Sequence, residues 1–100
     1  MDSMSLLKLF EFTSVSFLSA KNTADVCRIQ LEKLLVLHKI VEVDFTNVYV
    51  TPGFLRFLLE PLIKKQGPHL LERIYFANHT EATLYNINQV LEQFNATEPH

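Results

Sequence analysis

The sequence has few of the residues on which most catalytic and cofactor-binding motifs depend. Only Gly53 and Gly67 are glycines, so a glycine-rich phosphate-binding loop is excluded. The four histidines have no metal-ligand spacing between them and no nearby cysteine, which argues against a metal site. No Gly-x-Ser-x-Gly motif occurs, and no histidine stands beside a nucleophile in a recognisable motif. We therefore predict a protein that is not an enzyme and that needs neither a metal nor another cofactor.

Cysteine, excess charge and long apolar runs are scarce as well. The single cysteine, Cys27, cannot form an internal disulfide and lies among residues at helical spacing, which predicts a small buried hydrophobe. The formal net charge is −2 and the basic residues form no patch, so nothing favours nucleic acid as a partner. No apolar run approaches the roughly 18 residues of a membrane span, and no basic region precedes the first apolar run. These features predict a cytoplasmic protein that binds neither nucleic acid nor membranes.

Hydrophobic residues make up 48% of the chain and charged residues 20%, a balance typical of a folded domain. We expect one domain over residues 1–100, with an ordered core at about 6–94 and a flexible polar tail at 95–100. The predicted fold is α/β: a small, mixed, mostly parallel four-stranded sheet with three main helices in the order β-β-α-β-α-β-α. The first expected elements are strands at 6–12 and 15–17, joined as a hairpin, and a helix at 19–37 capped by Ser19 or Asn22. A strand at 40–45, a helix from Pro52 to Gln66 and a strand centred on 74–76 follow. The last helix is capped by Asn78 or Thr80, and its core face consists of Leu84, Ile87, Val90, Leu91 and Phe94.

The segment from Ile40 to Leu62 organises this prediction. Asp44 ends the strongest strand, at the sheet edge that carries most sites in open α/β folds. Its carboxylate has a structural alternative, which is to accept backbone N–H groups of the following turn. Thr51 and Pro52 are suited to the cap and the first position of a helix, and Pro61 predicts a kink near Glu60.

The same segment resembles the central motif of the STAS-like domain family. Asp44 and Phe45 match its Asp-Phe pair, Val48 its following valine, and Phe54 the phenylalanine that leads its helix. Similar stretches occur upstream at 17–21 and downstream at 74–78, so the resemblance runs from about residue 7 to residue 94.

The resemblance implies a non-enzymatic regulatory module similar to anti-sigma-factor antagonists. Such a module binds a histidine-kinase-like ATPase through the loop and helix start, here 46–57, and phosphorylation of a hydroxyl in that loop breaks the complex. Gly53 stands where the family often has serine, so Thr51 is the hydroxyl left as a phospho-acceptor, besides its role as a cap. The implied partner-binding residues are Asp44, Asn47, Tyr49, Thr51, Gly53, Phe54 and Phe57.

Two other functions stay open from the residues alone. The helix at 54–63 is apolar around much of its circumference, so it is either deeply buried or offers an apolar surface to another subunit, as in a homodimer. A small ligand could instead bind near Asp44, Thr51 and Asn78, which lie at predicted strand ends on one edge of the sheet.

Overall fold

The computed structural model describes residues 4–96, with side chains described for residues 4–94. The fold is α/β, as predicted, and every described strand pair is parallel. The elements in chain order are β1 (Met4–Lys8), α1 (Leu9–Thr13), β2 (Phe17–Leu18), α2 (Lys21–Leu37), β3 (Ile40–Asp44), β4 (Tyr49–Val50), α3 (Pro52–Gln66), a 3-10 helix (Pro68–Arg73), β5 (Ile74–Ala77) and α4 (Glu81–Ala96).

The strands form two sheets instead of the predicted four-stranded one. β3 lies between β1 and β5 in a three-stranded sheet, while β2 pairs only with β4 in a separate two-stranded sheet. The central position of β3 fits its sequence, because Val41 and Val43 on one face are fully buried, while Ile40 and Glu42 on the opposite face are partly buried. All three strands run in the same direction, so their carboxyl ends meet at one edge.

The predicted opening hairpin is wrong. The chain leaves β1 after Lys8 and forms the short helix α1, which Ser14 ends in a left-handed conformation (φ 60°) by donating its N–H to the Phe10 carbonyl. The predicted strand at 6–12 therefore ends at Lys8, and the apolar residues that follow form a helical turn in which Leu9 is fully buried and Phe10 and Phe12 are partly exposed. A run of aromatic and aliphatic residues at both periods does not distinguish a strand from a single helical turn.

Helix α2 begins later than predicted, and neither Ser19 nor Asn22 caps it. Ala20 occupies the cap position without a side-chain hydrogen bond, and Asp25 accepts hydrogen bonds from Lys21 and Arg28 instead of from the backbone. The apolar residues of α2 that fall on one face at helical spacing form its core side: Leu34 is partly buried, and Ala24, Cys27, Leu31 and Leu35 are fully or nearly fully buried. The predicted burial of Cys27 is thus confirmed.

The far end of α2 is fixed by one side chain from a distant part of the sequence. Arg73, at the end of the 3-10 helix, donates to the carbonyls of Leu35 (2.6 Å), His38 (2.8 Å) and Lys39 (2.8 Å). A guanidinium satisfies the last carbonyls of a helix and is favoured by the dipole there. Arg73 therefore ties the end of α2 to the start of β5.

Helix α3 begins as predicted and supplies much of the core. Thr51 caps it by accepting from the Phe54 N–H at 3.1 Å, with Pro52 at the first helical position. Pro61 lies inside the helix, and the kink near it stays a prediction. The inward face is buried through Phe54, Leu55, Leu58, Leu59 and Leu62.

Helix α4 is capped by one of the two predicted residues and departs from the prediction elsewhere. Thr80 caps it by accepting from the Thr83 N–H at 3.1 Å. Leu84, predicted to face the core, is 38% exposed, and the polar Thr83 and Asn86 are buried beside Ile87 in the first two turns. The helix continues through Ala96, so the predicted tail does not begin at residue 95; residues 97–100 lie outside the described residues. Across residues 4–96, none of the helices has the length and apolar character needed to cross a membrane.

Candidate functional site

Asp44 lies at the carboxyl edge of the three-stranded sheet, and the residue is only 8% exposed. Its Oδ1 accepts from the Thr46 N–H (2.9 Å), the Thr46 hydroxyl (2.6 Å) and the Asn78 amide (3.1 Å). The register of β3 against β5 pairs Asp44 with Ala77, and this brings Asn78 within reach. The structural alternative for Asp44, a carboxylate that binds the N–H of the next turn, is therefore confirmed.

These contacts set the ionisation of Asp44. The hydrogen bonds from the Thr46 side chain, and then from its backbone and from Asn78, lower the pKa of the carboxyl and outweigh the effect of burial, with a smaller contribution from Lys8. A hydrogen bond to the charged form of an acid favours that form. Asp44 is therefore a carboxylate at neutral pH.

A small cavity of about 120 Å³ opens beside Asp44. Its position follows from the register of β1 against β3, which places Lys8 next to Asp44, and from α1, which turns back over the same edge. Lys8 and Glu11 form an ion pair at 3.7 Å, with side chains 47% and 71% exposed. The lining consists of Lys8, Phe10, Glu11, Asp44, Thr46 and Asn47.

A second feature, an exposed pair of aromatic rings, lies on the two-stranded sheet. Tyr49 stacks on Phe17 with ring centroids 5.5 Å apart and an interplanar angle of 12°. Phe17 is 58% exposed and Tyr49 36%. The Tyr49 N–H donates to the Ser16 carbonyl at 2.8 Å, and its hydroxyl accepts from the Asn86 amide at 3.0 Å. The ring of Tyr49 is thus held through its backbone, its face and its hydroxyl.

The other residues expected to bind a partner occupy different environments. Phe54 is fully buried, so in this structure it positions the helix start and offers no surface to a partner. Phe57 is 37% exposed and lies one helical turn after Gly53. A Cβ at Gly53 would meet only the Thr51 hydroxyl, at 4.0 Å, so nothing within the described chain requires a glycine there.

The structure therefore brings together some of the predicted residues and separates others. Asp44 and Asn47 line one cavity, whereas Thr51 belongs to the start of α3, where its N–H donates to the Leu18 carbonyl. Of the three residues of the predicted ligand site, Asp44 and Asn78 are in contact, and Thr51 lies at the start of α3.

Sequence reasoning missed five residues of these two features: Lys8, Glu11, Phe10, Phe17 and Asn86. Lys8 and Glu11 are three residues apart, a spacing that allows oppositely charged side chains to pair across a helical turn. This spacing was the one signal in the sequence that these two residues form a pair. Nothing in the sequence identifies Asn86 as a residue that reaches β4.

The described side chains offer little for covalent or metal chemistry. No group of three or more histidine, cysteine, aspartate or glutamate residues within the described range could hold a metal ion. Burial raises the pKa of the Cys27 thiol to about 11, so it is protonated and unreactive at neutral pH. The arrangement is suited to binding.

Comparison of the chain with protein-family models, with curated proteins and with solved structures finds no match.

Proposed function

We propose that this protein is a non-enzymatic regulatory module, of the kind that the STAS-like resemblance implies, and that it binds a histidine-kinase-like ATPase partner. The binding surface is the loop and helix start 46–57 together with Phe17. The observation that carries the proposal is the exposed stack of Phe17 and Tyr49.

The aromatic stack has the physical properties of a binding anchor. Aromatic rings supply large contact area for the loss of few rotatable bonds, and they dominate the energy of many interfaces. The hydrogen bonds from Asn86 and to Ser16 hold Tyr49 in place before a partner arrives, which lowers the entropic cost of association.

Thr51 supplies the regulatory element of the proposal. Its hydroxyl is partly accessible and caps α3, close in sequence to Tyr49. A phosphate there would add about −1.5 to −2 charges, which the helix N-terminus tolerates. Phosphorylation would therefore alter the partner surface and leave the fold intact.

The proposal is tested by quantitative affinity capture from lysate of the native host, with wild-type protein and with Tyr49→Ala. The expected result is enrichment of a histidine-kinase-like ATPase by the wild type and a loss of about tenfold or more for Tyr49→Ala, as for an interface anchor. Tyr75→Ala is the matched control, because Tyr75 is 53% exposed and lies on β5. Equal capture by wild type and Tyr49→Ala, or no ATPase of this class, would show the assignment to be wrong.

The switch at Thr51 has its own test on the captured complex. Thr51→Glu and Thr51→Gln both remove the hydroxyl cap, but only Thr51→Glu adds a charge. We expect Thr51→Glu to weaken partner binding at least several-fold relative to Thr51→Gln, since the added charge and not the lost cap breaks the complex. If both variants bind alike, phosphorylation at Thr51 does not regulate this surface.

A second candidate, self-association, is favoured by a different surface from the one predicted. The apolar residues of the helix at 54–63 pack mainly into the core of the protein itself. Phe57 is the large hydrophobic residue of this stretch that is exposed. Helix α2 instead exposes Val26, Ile29, Val36 and Leu37. An outward apolar stripe of this kind is compatible with a homodimer. Light scattering at high concentration that shows only monomers would remove this candidate.

A further inference from the structure

Among the described side chains and backbone groups, only one of the two Asp44 carboxylate oxygens accepts hydrogen bonds. Three hydrogen bonds converge on Oδ1, and no donor among residues 4–94 reaches Oδ2. Oδ2 is also absent from the fully buried side-chain oxygens that lack a partner in the described chain, so it is not sealed off from solvent. Asp44 lines the cavity, and Thr46 and Asn78 hold its carboxylate through Oδ1, which leaves Oδ2 as the acceptor for a bound group.

The size of the cavity restricts what it can hold. Its volume of about 120 Å³ is well below the roughly 300–1,000 Å³ of small-molecule sites. It accommodates the end of one side chain and is too small for a nucleotide.

The charges around the cavity favour a cation. Glu11 and Asp44 contribute two carboxylates against the single ammonium of Lys8. The ion pair between Lys8 and Glu11 is long and exposed on both sides, and pairs of this kind contribute little to stability. Lys8 can therefore move into solvent and leave the Glu11 carboxylate to an incoming group.

We propose that this cavity binds the guanidinium group of an arginine side chain. A guanidinium is planar, carries five N–H donors and stacks on aromatic rings, whereas an ammonium is compact and strongly hydrated. The cavity offers both kinds of contact, with acceptors on Asp44 and Glu11 and the partly exposed ring of Phe10 for a cation–π contact. The inference rests on the proposed function only for the source of the arginine, which is the protein partner.

The test needs no partner protein. Isotope-labelled protein is titrated with N-acetyl-arginine amide, and the backbone resonances of Thr46 and Asn47 are followed by NMR. We expect saturable binding in the millimolar range. N-acetyl-citrulline amide has the same shape without the charge, and its binding should be weaker by about threefold or more, the value of one exposed charge pair.

Three substitutions at the cavity separate this site from general electrostatic attraction. Asp44→Asn keeps Oδ1 as the acceptor for Thr46 and Asn78 and replaces Oδ2 by a donor, so binding should weaken by about threefold or more. Glu11→Gln should weaken it by a smaller factor, while Lys8→Gln should tighten it by about twofold because a competing cation is removed. Glu92→Gln makes the same charge change at an exposed position of α4 and should have no effect.

Several results would overturn the inference. Equal binding of the arginine and citrulline probes, weaker binding by Lys8→Gln, or an effect of Glu92→Gln as large as that of Asp44→Asn would each do so. Tighter binding of free arginine than of its blocked amide would assign the cavity to a small molecule and refute the side-chain source. Because the titration contains no ATPase, its failure leaves the Tyr49→Ala capture experiment unaffected, and the reverse also holds.

Discussion

Replacing Gly53 by alanine is expected to stabilise the folded protein, because the helix loses stability through the conformational freedom of glycine and no contact of the described chain requires a glycine there. Gly53 is the second residue of α3, and a Cβ added to it would lie 4.0 Å from the Thr51 hydroxyl with no closer neighbour. Glycine in a helix costs roughly 0.5–1 kcal/mol relative to alanine, and a substitution compatible with the native backbone recovers about 0.4–1 kcal/mol. Since the first helical turn is less constrained than the interior, we expect the lower half of that range.

Urea unfolding measures this effect directly. With a slope of about 2 kcal/mol per molar urea for a domain of this size, the midpoint should rise by roughly 0.2–0.4 M. The melting temperature should rise by about 2–5 °C. Gly67→Ala is the matched control, since Gly67 has φ +90°, where a side chain is strained at a cost of about 1–3 kcal/mol; it should unfold at lower urea.

A lower urea midpoint for Gly53→Ala would refute the reasoning, since it would mean that the helix start cannot accept a Cβ. A stabilised Gly53→Ala that captures less partner would add a second conclusion. The glycine would then serve the close approach of a partner backbone, for which the fold of this chain alone gives no reason.

Three further predictions concern single side chains. Arg73→Ala should destabilise the protein by about 2–3 kcal/mol, because the three carbonyls at and just after the end of α2 lose a charged donor. In urea unfolding, Arg73→Lys should have a stability between those of the wild type and Arg73→Ala. A loss below about 0.5 kcal/mol for Arg73→Ala would contradict this role of the guanidinium. Because the pKa of Asp44 is lowered in the folded protein, its carboxylate stabilises the fold above the unfolded-state pKa of about 3.9, and this stabilisation disappears as pH falls through the folded value. Asp44→Asn should therefore make the free energy of unfolding fall less steeply at acid pH than in the wild type. An unchanged loss of stability at acid pH would contradict this. Cys27, whose pKa burial raises to about 11, should react with a thiol reagent at pH 8 only in denaturant, and rapid labelling of the native protein would show that the site opens readily.

The parts of the fold that were predictable are those in which one local signal dominates. β3 was predictable from its valines, and the start of α3 from Thr51 and Pro52, because capping and proline geometry act within three residues. The segment 6–12 was not predictable, since its apolar residues fit both the strand period and the helix period. Where the strand ends depends on its partner: Lys8 pairs with Asp44, the last residue of β3.

The candidate site divides in the same way. The place of Asp44 at the sheet edge followed from its position at the end of a strand. The cavity beside it depends on α1 turning back, and the fixed ring of Tyr49 depends on Asn86, which is 37 residues away in the sequence. Contacts of that range have no signature in a single sequence.

The amide of Asn86 also determines the direction of hydrogen bonding at Tyr49. Its nitrogen lies 3.0 Å from the Val50 carbonyl, which can only accept, and 3.0 Å from the Tyr49 hydroxyl. Because that nitrogen faces both atoms, the tyrosine oxygen accepts a hydrogen bond from the Asn86 N–H, and the tyrosine O–H remains free to donate elsewhere. The exposed ring therefore carries a hydrogen-bond donor with a fixed polarity, and the group it selects on a bound protein is an acceptor, such as a carboxylate or a backbone carbonyl.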